Sequence, residues 1–377
     1  MRKREGRESD PGPLVGSVFP LCGVKNHEIA HMRKYQGRVV FQGNYITDEY
    51  GTQTFFPDQG SGASFMTASR LADAIALLPG CSGQQSDAPQ ACTQTKLGKG
   101  LEESHRETWI RLPRNMWPPE WAGMSAPVCP LVLALYGHPL SGTYWENYYD
   151  EIVVQKCGFE KVVGWESLYA HRALKVFLPV YVDDFKLAGE TKNLPKAWKL
   201  MTDNKLLLDP PEPLGQYLGC GQRPTTLSKE ELDRRMEHIR PLYHSKGYKE
   251  KSSQPNGGEQ TESGKNLGDT SVGSGKGSKV DVKSIRYDME SFFESCCERY
   301  LELTGKSDRD ITPSKGFLFP GIDDHQLREE DWGKEGDLAN VSAKVLMKQM
   351  YGARTCRWDL LHSINTIARE VAKWNKK

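Results

Sequence analysis

An apolar run, Val176-Phe177-Leu178-Pro179-Val180, leads into Tyr181-Val182-Asp183-Asp184 and out again through Phe185-Lys186-Leu187-Ala188-Gly189. Two short apolar stretches joined through adjacent acids read as a β-hairpin with both carboxylates at its tip. Adjacent aspartates repel each other. Placing them at the end of a buried hairpin costs free energy unless solvent or a multivalent cation takes up the charge. A pair of divalent metals about 3.5–4 Å apart, clamping the attacking and leaving oxygens of a phosphoryl transfer, needs carboxylates from separate strands. A solvated Asp-Asp turn is the plainer reading of these letters alone. The surrounding blocks decide against it.

Upstream lie Gly37-Arg38-Val39-Val40, then Gln84-Gln85-Ser86-Asp87-Ala88-Pro89-Gln90-Ala91, Glu107-Thr108-Trp109-Ile110-Arg111-Leu112-Pro113, and Leu133-Ala134-Leu135-Tyr136-Gly137 with Ser141 and Trp145; downstream comes Gln216-Tyr217-Leu218-Gly219. In order and rough spacing these blocks, with the hairpin, resemble the reverse transcriptases of copia-type LTR retrotransposons, and the wording is similar to copies found in dinoflagellate genomes. The resemblance spans about residues 27–221. It implies an α+β fold: a polymerase fingers–palm with an antiparallel palm sheet, helices on one face of it, and a helical thumb/connection region after it. It also implies an RNA-directed DNA polymerase using Mg²⁺ or Mn²⁺, with RNA and DNA template-primer and dNTPs as partners. Carried over residue by residue, Asp87, Asp183 and Asp184 are the catalytic metal ligands, and Arg38, Cys92 and Tyr181 line the nucleotide. Other Pol or Gag-derived modules are implied as partners, and a ribonuclease H domain would begin about where this chain stops.

At 377 residues the chain is long enough for two modules and a buried core. A formal net charge of +1 gives no global attraction to nucleic acid, so any basic surface is local; Arg33, Lys34 and Arg38 make one such cluster. Nine cysteines, scattered and without a Cys-x-x-Cys pair, argue for a reducing compartment. There is no signal-peptide pattern and no apolar stretch of the roughly 18 residues that a membrane span needs. The expectation is a soluble intracellular protein, in a cytoplasmic retroelement particle or the nucleus, with no membrane.

Residues 1–26 read as a loose leader and 27–221 as fingers–palm, opening with a short helix and a strand over Arg38–Gln42, followed by a helix over Ser64–Leu78. Residues 222–280 read as a largely disordered linker, because Ser245–Val280 is poor in apolar residues. Residues 281–377 read as amphipathic helices over Val282–Thr304 and Val341–Trp374, the thumb/connection.

Several positions depart from the family pattern. Cys92 stands where the family has an aromatic residue under the sugar, Leu140 replaces a glutamine, Gln36 a lysine, and Pro179 sits inside the strand feeding the hairpin. These departures support a second reading, an inactive retroelement remnant that keeps nucleic-acid binding. A third comes from His27-Glu28-Ile29-Ala30-His31, which fits the H-E-x-x-H zinc metalloprotease pattern. A zincin needs a long helix and a third ligand, yet Gly37 follows closely and the next histidine is His105.

Overall fold

A computed structural model describes residues 12–25, 33–56, 62–101, 106–243, 282–307, 336, 338–369 and 371. These fall into two compact units, one drawn from residues 1–222 and 287–377, the other from 223–286. The fold is mixed α and β.

In the larger unit, β3 (Cys81–Asp87), β6 (Glu160–Lys161), β7 (Leu168–His171), β8 (Val176–Tyr181), β9 (Asp184–Glu190) and β10 (Glu212–Pro213) form a central sheet. Its order is β10–β3–β9–β8–β7–β6, and every neighbouring pair is antiparallel. Helices cover both faces of it, where one face was expected. Phe185 and Leu187 point into the main core with Trp145 and Tyr149 of α2 (Ser141–Asp150) and with Ala197, Trp198 and Met201 of α3 (Leu194–Asp203). Lys186, on the opposite face of β9, meets α1 (Met66–Ala76). Small residues allow that helix to come close: a Cβ on Gly83 would lie 3.0 Å from the Ala76 methyl. Helix α2 runs on into a π-helical segment, Glu151–Lys156, which keeps Ile152 and Val153 buried. Pro179 is in an interior strand. It opposes Leu168 of β7, and the ladder to β9 lapses at Leu178 and Pro179, where the missing N–H cannot bond.

A second sheet combines β1 (Leu14–Lys25), β2 (Lys34–Phe41), β4 (Thr108–Arg111) and β5 (Cys129–Pro130) in the order β2–β1–β4–β5. Residues 14–25, read from sequence as part of a loose leader, are therefore a strand. Leu14 and Val18 anchor it against Phe41, Ile46 and Ile110, and it pairs with β2 along eight registered positions out to Lys25. The short helix expected from His27 falls on residues outside the described set.

The remaining strands, β11 (Gln216–Tyr217), β12 (Cys220–Leu227) and β13 (Val282–Asp288), form a three-stranded sheet in that order. With α4 (Lys229–Tyr243), β12 shows that the expected linker begins later than residue 222; its core, 244–281, lies outside the described residues. Val282–Asp288 is a strand where a helix was expected, and α5 (Glu290–Thr304) follows it. Helices α6 (Ala339–Thr355) and α7 (Trp358–Arg369) share a small core of Leu346, Ala353 and Ile364. In the larger unit, Arg70 of α1 donates to the Thr355 carbonyl and lies 5.1 Å from the Trp358 ring centre, while Tyr351 donates to the Leu218 carbonyl. No described helix is long and apolar enough to cross a membrane.

Candidate active site

The β8–β9 hairpin closes on the pair Tyr181↔Asp184, leaving Val182 and Asp183 as its two-residue loop. Val182 has φ 57°, a conformation that a β-branched residue rarely adopts and that two-residue hairpins usually fill with Gly, Asn or Asp. Such a residue stores about 1–3 kcal/mol of strain and persists only where the surroundings enforce it. Two hydrogen bonds do so here. The buried Trp145 indole donates to the Val182 carbonyl at 2.7 Å, and the Ala88 N–H donates to the Asp183 carbonyl at 2.8 Å.

The second of those bonds ties the turn to the end of β3. In the β3–β9 register Asp87 is the partner of Asp184. Asp87 thus comes beside the consecutive Asp183 and Asp184 at one end of the central sheet, with Asp87 exposed and Asp183 and Asp184 half-buried. Beside Asp87 the chain is pinned again: Asp209 N–H donates to the Asp87 carbonyl at 2.9 Å, and the Ser86 hydroxyl to the Asp209 carbonyl at 2.6 Å. Among the described residues, no three His, Cys, Asp or Glu side chains are gathered as a ready metal-binding group. Carboxylate oxygens are the donors a hard cation such as Mg²⁺ takes, but only Asp87 and Asp184 are register partners, and the side chains are not gathered around one point.

Of the expected nucleotide-lining residues, Arg38 and Cys92 come together around Tyr136, and Tyr181 stands at the hairpin end. Cys92, on a 3₁₀ turn Ala91–Gln94, is 5% exposed, and burial followed by the Asp183 charge pushes its thiol up to about 11. The half-buried Tyr136 packs against the core cluster that holds Cys92; its phenol is pushed up to about 12, by burial first and then by Cys92 and Asp183. Over its ring, 5.8 Å from the centre, stands the Arg38 guanidinium. Arg38, Tyr136 and Cys92 therefore lie together, within reach of the Asp183 charge. The accessible surface at this place belongs to Tyr136 rather than to the Cys92 thiol. Tyr181 is 39% exposed at the hairpin end. His27, Glu28 and His31 of the metalloprotease pattern, and His105, lie outside the described residues.

Sequence reading missed the charge buried behind the carboxylates. Lys186 is 0% exposed and donates to Asp73 Oδ1 at 2.7 Å, Ser69 Oγ at 2.8 Å and Gln222 Oε1 at 3.2 Å. The other Asp73 oxygen accepts from the Tyr287 hydroxyl at 2.7 Å and the Gln222 amide at 3.0 Å. Burial pulls the Lys186 ammonium below the usual lysine range, against the pull of Asp73. A lone lysine in an otherwise apolar strand and a lone aspartate among Leu71, Ala72, Ala74 and Ile75 were the available signal.

No family model matches the chain. It is similar to yeast retrotransposon polyproteins. The Transposon Ty1-DR4 and Transposon TyH3 Gag-Pol polyproteins of Saccharomyces cerevisiae are each 30% identical to it over 94 residues, 24% of this chain. The Transposon Ty1-NL2 Gag-Pol polyprotein of the same organism is 20% identical over 254 residues, 67% of this chain. These stretches are 6%, 5% and 12% of the respective polyproteins, so the chain spans a small part of the length of the curated relatives it matches. The similarity is distant, and it supports a retrotransposon origin.

Proposed function

We propose that this chain is the reverse transcriptase portion of a copia-type retrotransposon Pol polyprotein, an RNA-directed DNA polymerase that adds dNTPs to a primer 3′-hydroxyl. The observation that carries the reading is the register placing Asp87 opposite Asp184, beside the Asp183 turn. In it the central sheet is the palm, the β1–β2 hairpin the fingers, and α5–α7 the thumb/connection.

Asp87 and Asp183 would hold the cations, and Asp184 would shape the field around them. Two Mg²⁺ or Mn²⁺ ions bound there would activate the primer hydroxyl and neutralise the triphosphate. Trp145 and the Ala88 N–H fix the turn, so the acids need little reorganisation when the substrate arrives. Arg38, stacked on Tyr136, offers a planar donor fork to phosphate oxygens. Tyr136, packed beside Cys92, would form the wall nearest the sugar.

Extension of a primed RNA template with Mg²⁺ or Mn²⁺ tests this: the parent chain extends, and Asp183→Asn, which folds normally, does not. Full extension by Asp183→Asn rejects the assignment. An inactive remnant that binds template-primer is the second reading, favoured by the replacement of the family aromatic by Cys92 and by carboxylates not gathered as a ligand group. Template binding without extension by the parent selects it.

A further inference from the structure

The loop that carries Tyr136 closes around a buried histidine. His138 is 5% exposed, and its ring is caged by Phe41, Phe56 and Tyr144, whose ring centres lie 5.1, 6.0 and 6.1 Å away. An apolar residue would suit such a cage. Two polar groups ask for a histidine instead: the Leu140 N–H donates to Nδ1 at 3.2 Å, and the buried Thr108 hydroxyl of β4 lies 3.3 Å from Nε2. A backbone N–H can only donate, so Nδ1 carries no proton. The neutral ring then holds its proton on Nε2 and donates from there to the Thr108 oxygen. A second ring proton would set two N–H groups head to head at Leu140, so the folded loop selects this one form.

What the ring holds is the seat of the expected nucleotide wall. The His138 N–H donates to the Leu135 carbonyl at 3.0 Å, and the hydroxyl of Ser141, the first residue of α2, donates to the same carbonyl at 2.7 Å. Between these ties the Tyr136 carbonyl accepts from the Phe41 N–H at 2.8 Å, and Gly137 passes so close to β2 that a Cβ on it would lie 2.1 Å from the Phe41 carbonyl. Arg38, on the same strand, stands over the Tyr136 ring. Through its two ring bonds and its contact with Phe41, His138 therefore joins β2, β4 and the start of α2 where Tyr136 and Arg38 meet. Buried as it is, it acts only through what it holds.

We propose that His138, as the neutral Nε2–H tautomer, is a positioning residue for nucleotide binding that sets the Tyr136 ring, and with it the Arg38 guanidinium, against the incoming dNTP. The proposal rests on the polymerase reading of this chain.

The full chain is compared with His138→Leu and His138→Asn by dNTP titration in primer extension and by melting. Leucine fills the cage and leaves the Leu140 N–H and the Thr108 hydroxyl unpaired. Asparagine packs the cage less well, but its side-chain oxygen can accept the N–H of the residue two positions on, the bond that Nδ1 makes here. In His138→Leu the KM for dNTP should rise about tenfold, the worth of one hydrogen bond, with kcat little changed. In His138→Asn it should return most of the way to the parent value, although this variant melts no higher than His138→Leu. An unchanged KM in His138→Leu overturns the proposal. So does a KM that in His138→Asn rises as far as in His138→Leu, or that follows the melting temperature from chain to chain, because His138 then supports the fold and no more. If His138→Leu does not fold, the isosteric Thr108→Val frees the ring from its other side and must raise KM in its place; a parental KM there overturns the proposal. A parent that extends no primer rejects the polymerase reading, and the proposal with it.

Discussion

Two antiparallel hairpins of the larger unit are built on opposite principles. In β8–β9, residues Phe185 to Gly189 are all buried, and the hairpin is held by what packs on both faces. In β1–β2, residues Lys34 to Val39 are all exposed, and Leu21, Val24 and Tyr35 stand 49%, 42% and 83% open to solvent. Its base, Leu14, Val18 and Phe41, is packed and Arg38 stands over the Tyr136 ring, while among the described residues the outer half is held mainly by the backbone ladder. The difference separates a rigid platform, able to hold three like charges in place, from an arm whose outer residues are free to meet something else.

Substitution of Lys186 should open the widest gap between the two. Lys186→Met leaves Asp73 buried without its cation and should cost about 3–5 kcal/mol in urea unfolding. The combined Lys186→Met, Asp73→Leu chain should recover much of that, whereas a loss below about 1 kcal/mol for the single variant would show that the platform does not depend on its buried pair. Trp145→Phe deletes the donor to the Val182 carbonyl and should cost about 1–3 kcal/mol, with primer extension falling further than stability does. Val182→Gly relieves the φ 57° strain and should stabilise the chain by about 1 kcal/mol; a destabilised variant would mean that the valine side chain itself supports the turn.

The pH response follows from the thiols. Cys92 is raised from 9.0 to about 11. In that window the unfolded chain has lost a proton that the folded chain keeps, so stability should fall as pH rises from 9 to about 11. Cys157 and Cys220 are raised likewise, so Cys92→Ala should remove part of the slope, measured by urea unfolding across the range. On the arm, Tyr35→Ser should change stability by no more than about 0.5 kcal/mol. A larger loss would show that the exposed side of β2 is packed in solution.

The same contrast explains what was legible in the sequence. Burial writes itself as runs of apolar residues, so the β8–β9 hairpin, helix α1 and the placement of Asp87 near the Asp183 turn could be read. A strand exposed on both faces leaves no such record. Gly16, Pro20 and Gly23 made β1 resemble a leader, although two buried residues and a ladder are enough to order it. The Val282–Asp288 segment carries its strand pairing beside β12, which periodicity cannot reveal. Lys186 was read as part of an apolar run because its counter-charge, Asp73, is 113 residues away. Cys92 is buried within reach of the Asp183 charge, and Tyr136, which packs beside it, comes from a different block.

Diffraction at the manganese edge from crystals grown with a primer-template and Mn²⁺ tests the carboxylate cluster most directly. The expected result is anomalous density for two ions bounded by Asp87, Asp183 and Asp184, absent from Asp183→Asn crystals grown the same way. Crystals with primer-template bound and no ion at these three residues, or with ions bound elsewhere, would contradict the account.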